Sequence, residues 1–458
     1  MNLPAVIRRG EVHFFAHMSD GPERLIVFTR YPEPGTTKTR LIPVLGPEGA
    51  AELQRRMTLQ VAQAAEELRK DRPLTVEIRF EGGSCERMQQ WLGAGFAYRP
   101  QGEGDIGRRM SRALAQAFAE GCRRAVLVGS DIPGISSALM AEAFDRLRPH
   151  DLVFGPAADG GYYLIGGNAA CFQRGAPFLD AGIDWGTAGV LEQTLGSLRA
   201  MGLRHALLAR LTDIDRPGDL AEGMQALSQG PGRCALSVII PALNEAGEIG
   251  GTVSALSKTA AAEIVVVDGG SRDATVAIAA AAGARILRSP PPRAVQMNAG
   301  AAAARGDILI FLHADTRLPD DFAHQVTSTL AAPGVCAGAF HLHIDATTHG
   351  LRLIERAANW RAHFLQLPYG DQALFMPMGT FWELAGFRPL AIMEDFEMLR
   401  RLRRRGRVAL APGVAATSAR RWQQQGILKT WLLNQWLIAA YHLGVSTDRL
   451  ARWYRLNK

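Results

Sequence analysis

The chain has 458 residues, 47% hydrophobic and 21% charged, which is the length of two or three domains and the composition of ordinary globular protein. Its net charge of +7 favours acidic partners such as phosphates or an anionic membrane surface. No aromatic-laced basic groove or known motif points to nucleic acid, and five scattered cysteines with no C-x-x-C pair argue against a zinc site and a disulfide framework, so a reducing, cytoplasmic setting fits.

Residues 1 to 22 carry several charges and no long apolar core, so they do not read as a signal peptide and are expected to be an extension, a candidate for disorder. Short apolar or β-branched runs then follow at 24–30, 74–80, 125–129 and 151–155, with helical spacing between them, as over 48–70. Strands alternating with helices imply a mainly parallel sheet covered by helices. In "FTRYPEPGTTKTRLIP", Lys38 and Arg40 sit in a turn after the first strand, beside Gly35 and two threonines, where amides, hydroxyls and cations can cradle a phosphate chain. A surface turn with incidental cations is the plainer alternative. The Gly102, Gly104, Gly107 pattern is not a dinucleotide loop, because Glu103 and Asp105 would repel a pyrophosphate. Asp131 ends a strand in "VLVGSDIPG", Asp159 lies in a glycine-rich loop, and "LTDIDRPGDL" brings Asp213 and Asp215. Several acids near one phosphate loop suit magnesium bound to a nucleotide.

The Gly-Pro-Gly core of "SQGPGRC" reads as a linker, placed at 229–235 between a domain over 23–228 and another over 236–458. The alternation restarts after it, with runs at 236–240, 263–267, 284–287 and 307–312, and the alanine patches at 279–282 and 301–304 read as plain helix. Ligands of open α/β sheets bind beyond the carboxyl ends of the strands, and both halves place an aspartate there. Asp268 ends a strand, Gly269 and Gly270 allow a tight bend, and Asp273 is suited to capping a helix. In "FLHADT", His313 stands where a first metal-binding acid would be expected, leaving Asp315. Magnesium needs only one or two carboxylates beside phosphates and water, so Asp315 can suffice once a nucleotide sugar is bound, and His313 is better suited to hydrogen bonding than to a hard ion.

The stretches "SVIIPALNE", "VVVDGGSRDAT", "RAVQMNAGAAAARGDILIFLHADT", "YGDQ", "MEDFE" and "SARRW", in that order, resemble the inverting glycosyltransferases of family 2, which have the GT-A fold. More narrowly the second half is similar to transferases associated with radical-SAM and selenodomain genes, the arsenosugar-biosynthesis type. This resemblance implies that Ala242, Asn244, Glu245, Asp268 and Ser271 line a nucleotide pocket, and that Asp315 holds a divalent metal, Mg2+ or Mn2+, against the diphosphate. It further implies that Asp395 is the general base, with Asp371, Gln372, Arg421 and Trp422 near acceptor or diphosphate. The chemistry agrees, since inversion asks one carboxylate to take the acceptor proton while the diphosphate leaves from the opposite face. Residues 24–227 resemble a generically described family of small GT-A-like transferases, similar to guanylyltransferases for phospholactate or molybdopterin. That implies phosphate contacts for Lys38 and Arg40 and metal binding by Asp131 with Asp215.

The expected architecture is therefore two tandem GT-A, nucleotide-diphospho-sugar transferase-like domains, each a mainly parallel sheet covered by helices. The expected function is transfer from a nucleotide sugar to a small-molecule or lipid-linked acceptor, fused to a domain that handles or makes the activated donor. The rivals for that first domain are a second glycosyltransferase and a non-catalytic module that presents acceptor. The basic run "RRLRRRGRVAL" reads as the solvated face of a helix ended by Gly406. The stretch 427–445 carries a wide apolar stripe interrupted by Lys429, Asn434, Gln435 and His442, too polar to span a membrane. It reads as a packing helix first and as an interfacial one second, which leaves room for peripheral membrane contact.

Overall fold

Each of the eight apolar runs becomes a strand, because runs buried on both faces satisfy their amides only in a ladder. The computed structural model describes residues 22–456 apart from 173–178, 180–181, 229–233, 260–261 and 347. The extension before residue 22 and the Gly-Pro-Gly core of the expected linker lie outside the described residues.

Seven strands form the first sheet: β1 (Glu23–Arg30), β2 (Leu74–Glu81), β3 (Ala97–Pro100), β4 (Arg124–Gly129), β5 (Leu152–Pro156), β6 (Tyr162–Asn168) and β7 (His205–Leu207), in the order β3-β2-β1-β4-β6-β5-β7. Only β6 runs against its neighbours β4 and β5. The second sheet is built from β8 (Cys234–Ala242), β9 (Ala262–Asp268), β10 (Arg285–Arg288), β11 (Gly306–Phe311), β12 (Thr316–Arg317), β13 (Val335–Asp345), β14 (Leu374–Pro377) and β15 (Arg407–Ser418), in the order β10-β9-β8-β11-β14-β13-β15-β12. With the two-residue edge strand β12 set aside, the two orders are the same. In both, the strand beside the fourth is antiparallel to its neighbours. The similar placement of acids in the two halves therefore reflects a repeated topology, although the sequences show no repeat.

The halves also share a core. The helix Ile42–Asp71 of the first packs on the helix Arg293–Ala303 of the second, and Leu45, Leu53 and Met57 join Met297, Ala301, Met376 and Phe381 in one apolar cluster. The alanine patch at 301–304 is thus a packing surface as well as a good helix former. The buried Asn298 carboxamide donates to Val44 O (2.9 Å) and Phe387 O (2.8 Å) and accepts from Phe387 N (2.9 Å). Arg56 donates to Ala302 O and Glu52 pairs with Arg285. Burial lowers the Arg56 guanidinium to about 10.

Candidate active site

The two loops after β8 and β9 lock each other. Ala242 pairs with Asp268 across the sheet, and Ala242 O accepts from Gly269 N (2.8 Å). The buried Asp268 carboxylate accepts from Ser271 N (3.0 Å) and Gly270 N (3.2 Å), a turn that needs the positive φ of Gly270 (96°). Asn244, itself left-handed at φ 56°, donates its amide to Ser271 Oγ (2.9 Å) and accepts from Arg272 N (2.9 Å) through Oδ1. Asp273 accepts from Thr275 N (3.0 Å), the first residue of the helix Thr275–Ala281, and from Ala246 N (3.2 Å), so it ties the two loops as well as the helix start. Glu245 reaches across to Arg420 (2.6 Å).

Beyond β11 lies a cavity of about 830 Å³ whose wall includes His313, Asp315, Asp371, Glu394, Asp395 and Trp422. Asp395 Oδ2 accepts from Gly370 N (2.9 Å) and Oδ1 from Phe396 N (2.7 Å). A Cβ on Gly370 would stand 3.1 Å from His313 Nε2 and 3.2 Å from Asp395 Oδ2, so those two side chains converge on a single backbone point. Burial, then the Asp395 charge, raises Glu394 above the usual carboxylate range, with Arg293 at 4.0 Å partly offsetting this. Asp315 is raised by burial first and by the Glu245 charge next. Gln372 is fully buried and donates to Phe340 O (3.0 Å), which places it behind the turn that carries Asp371. The Arg421 side chain lies outside the described residues.

The first sheet has a counterpart. Lys38, left-handed at φ 50° and largely buried, lies 3.6 Å from Asp131, and Arg40 pairs with Asp215. Asp131, Asp159 and Asp213 line a smaller cavity of about 250 Å³ walled by Tyr162 and Trp185. Asp213 is raised by burial and then by the charge of Asp159. Asp215 faces Arg40 and is not part of that lining.

Residues 237–384 match the family described as glycosyl transferase family 2. That match covers about a third of the chain and lies within the second half. Residues 59–187 match a family described as an uncharacterized protein conserved in bacteria (DUF2064). Glucosyl-3-phosphoglycerate synthase of Mycolicibacterium paratuberculosis (strain ATCC BAA-968 / K-10) is 32% identical over 113 residues, 22% of this chain, and the chain spans about a third (33%) of the length of that relative. Among solved structures, a protein of Desulfovibrio desulfuricans G20, described only provisionally as a nucleotide-diphospho-sugar transferase, is 35% identical over 43% of this chain and 84% of its own, with a TM-score of 0.40. Glucosyl-3-phosphoglycerate synthase of Mycobacterium tuberculosis in complex with Mn2+, UDP and glucosyl-3-phosphoglycerate is 22% identical over 43% of this chain and 74% of its own, with a TM-score of 0.31. The fold is that of two tandem nucleotide-diphospho-sugar transferase-like domains.

In the second half, the sequence gives no role to Arg293 or to the cover of the cavity. Asn434, Leu437 and Ile438 of the helix Ile427–His442 and Tyr454 of the helix Thr447–Leu456 close it. They follow the last of the motifs, and no local spacing announces them. Among the described residues, no three His, Cys, Asp or Glu side chains form a ready-made metal cage. The donor chemistry at Asp315 still fits a hard divalent cation. Glu245 adds negative charge beside a half-buried carboxylate, Arg420 offsets only part of it, and such ions commonly take one or two carboxylates with phosphate oxygens.

Proposed function

We propose that the glycosyltransferase domain moves a sugar from a nucleoside-diphosphate sugar to an acceptor hydroxyl with inversion, with Asp395 as the general base. The observation that carries this is the position of Asp395. Its carboxylate is held by two backbone amides in the cavity that Asp315 also lines. Those bonds fix its direction, as a proton acceptor needs. The acceptor oxygen bonds to the anomeric carbon as Asp395 takes its proton, and the carbon–oxygen bond to the diphosphate breaks with the electron pair leaving on phosphate. Asp268, Asn244 and Ser271 shape the nucleotide loop, and Arg293 and Arg420 supply positive charge toward the leaving group. A divalent cation at Asp315, when bound, would add Lewis-acid neutralisation of that diphosphate. The curated relative's name, a glucosyl-3-phosphoglycerate synthase, supports transfer of a glucosyl group. The likeness to arsenosugar-biosynthesis transferases makes a small-molecule acceptor the first to try.

For the first domain we propose a nucleotide-handling role, supported by the Lys38–Asp131 and Arg40–Asp215 pairs, where a phosphate chain can exchange for the carboxylates. The test incubates the full chain with uridine and guanosine diphosphate sugars, Mn2+ and candidate acceptors, and reads nucleoside diphosphate release and product anomer by NMR. A product with inverted anomeric configuration is expected. Retained configuration, or no turnover with any sugar nucleotide, would overturn the proposal.

A further inference from the structure

The helix Ile427–His442 has two occupied duties. Asn434, Leu437 and Ile438 look into the catalytic cavity, and Leu437 and Ala440 pack with Leu450 beneath the helix. It also exposes Trp431, Leu432 and Trp436, with Leu443 just after it, between 39% and 85% exposed, and Trp436 stacks in part on Trp453 of the next helix. The neighbouring helix His349–Leu365 meets it through Leu351, Ile354 and Ile427 and exposes Leu353, Trp360, Phe364 and Leu365. Of the 14 large hydrophobic side chains exposed among the described residues, eight lie on these two helices or the residue that follows the second.

What surrounds these side chains decides what they meet. From Met398 to Thr447 the chain contains no Asp or Glu, and it carries Arg400, Arg401, Arg403, Arg404, Arg405, Arg407, Arg420, Arg421 and Lys429. The helix His349–Leu365 adds Arg356 and Arg361, and its single acid, Glu355, is buried against Arg352. No helix is long and apolar enough to cross a membrane among the described residues. Exposed tryptophans and leucines on two helices whose single acid is buried, beside the exposed Lys429 and Arg356, suit helices lying in the plane of an anionic lipid surface.

We propose that these two helices dock the protein onto an anionic membrane, with Trp431, Leu432 and Trp436 entering the headgroup region. The helix that roofs the catalytic cavity is then also the one that touches lipid. The cavity mouth therefore opens at the membrane surface, where an acceptor held by an acyl or prenyl chain would reach it.

The test is co-sedimentation of the full chain with phosphatidylcholine vesicles, alone and with one-third phosphatidylglycerol, together with tryptophan emission. Binding to the mixed vesicles should be strong and salt-sensitive, with a blue shift, and binding to phosphatidylcholine alone should be at least tenfold weaker. The variant Trp431→Ser/Leu432→Ser should lose at least tenfold in partitioning with its melting temperature held, because both side chains are exposed and lie outside the packed clusters. Equal partitioning by the variant, or no binding to either vesicle, would overturn the proposal. A parent that is dimeric by light scattering and made monomeric by the same substitutions would overturn it too, since the face would then join two copies. If that variant fails to fold, Trp360→Ser/Phe364→Ser on the helix His349–Leu365 is read by the same criteria.

Discussion

Gly49 and Ala299 meet backbone to backbone: a Cβ on Gly49 would lie 2.8 Å from both Cα and Cβ of Ala299. That contact sets the spacing of the helices that join the two halves. Gly49→Val should therefore overpack the seam and cost about 1–3 kcal/mol. The same seam predicts that the parent unfolds in one transition, since one apolar cluster joins helices of the first half to the second sheet. Differential scanning calorimetry checks both statements, and two resolved transitions in the parent would contradict the shared core.

Asp395 and Asp315 should fail in different ways. Asp395→Asn keeps the shape and removes the proton acceptor, so turnover should fall by about 10² to 10⁴ with donor affinity near the parent's. Asp315→Ala should lose donor affinity and its dependence on divalent cation together. Isothermal titration with nucleoside diphosphate, with and without Mn2+, separates the two, and an equal loss of affinity in both variants would contradict the division.

Glu394 gives a pH signature. Its folded pKa is raised by burial and then by Asp395, so the folded state holds its proton to higher pH than the unfolded chain, whose value is about 4.3. Stability from this group is complete below the unfolded value and is lost as pH rises through the folded one. Glu394→Gln, neutral at every pH, should match the parent near pH 4 and exceed it in melting temperature at pH 8. A variant less stable than the parent at pH 8 would show that the charged carboxylate is favoured in place.

Lys38→Ala with Arg40→Ala should weaken binding of a nucleoside triphosphate to the full chain while glycosyl transfer by the second domain continues. Both side chains lie near acids of the first sheet, away from Asp395. Fluorescent-nucleotide anisotropy measures the first effect and diphosphate release the second. Unchanged anisotropy would make the turn a surface loop.

Periodicity made the parallel strands legible, because the central residues of β1, β4, β8 and β11 are buried on both faces and so form apolar runs. Later strands such as β6 and β13 are glycine-rich or broken by a polar residue at the centre, and their pairing depends on partners distant in sequence, so no local pattern marks them. The acids at strand ends were legible for a related reason: the fold puts its ligands there, and Asp268 and Asp315 stand just past apolar runs. The helices that roof the cavity were not, since their place depends on tertiary packing. Nor was Gln372, whose neighbour Asp371 faces the cavity while it points inward. The alanines at 301–304 looked like mere helix formers because their partner helix lies some 250 positions earlier.

The seam between the two halves also imposes a schedule on synthesis. The helix Ile42–Asp71 leaves the ribosome about 220 residues before Arg293–Ala303 exists to cover it. At roughly 5–20 residues per second, Leu45, Leu53 and Met57 wait on the order of 10 to 45 seconds without their partner. During that interval the nascent first half presents an oily, half-finished face to the cell. A chain cut between the two halves would leave the first half in that state permanently.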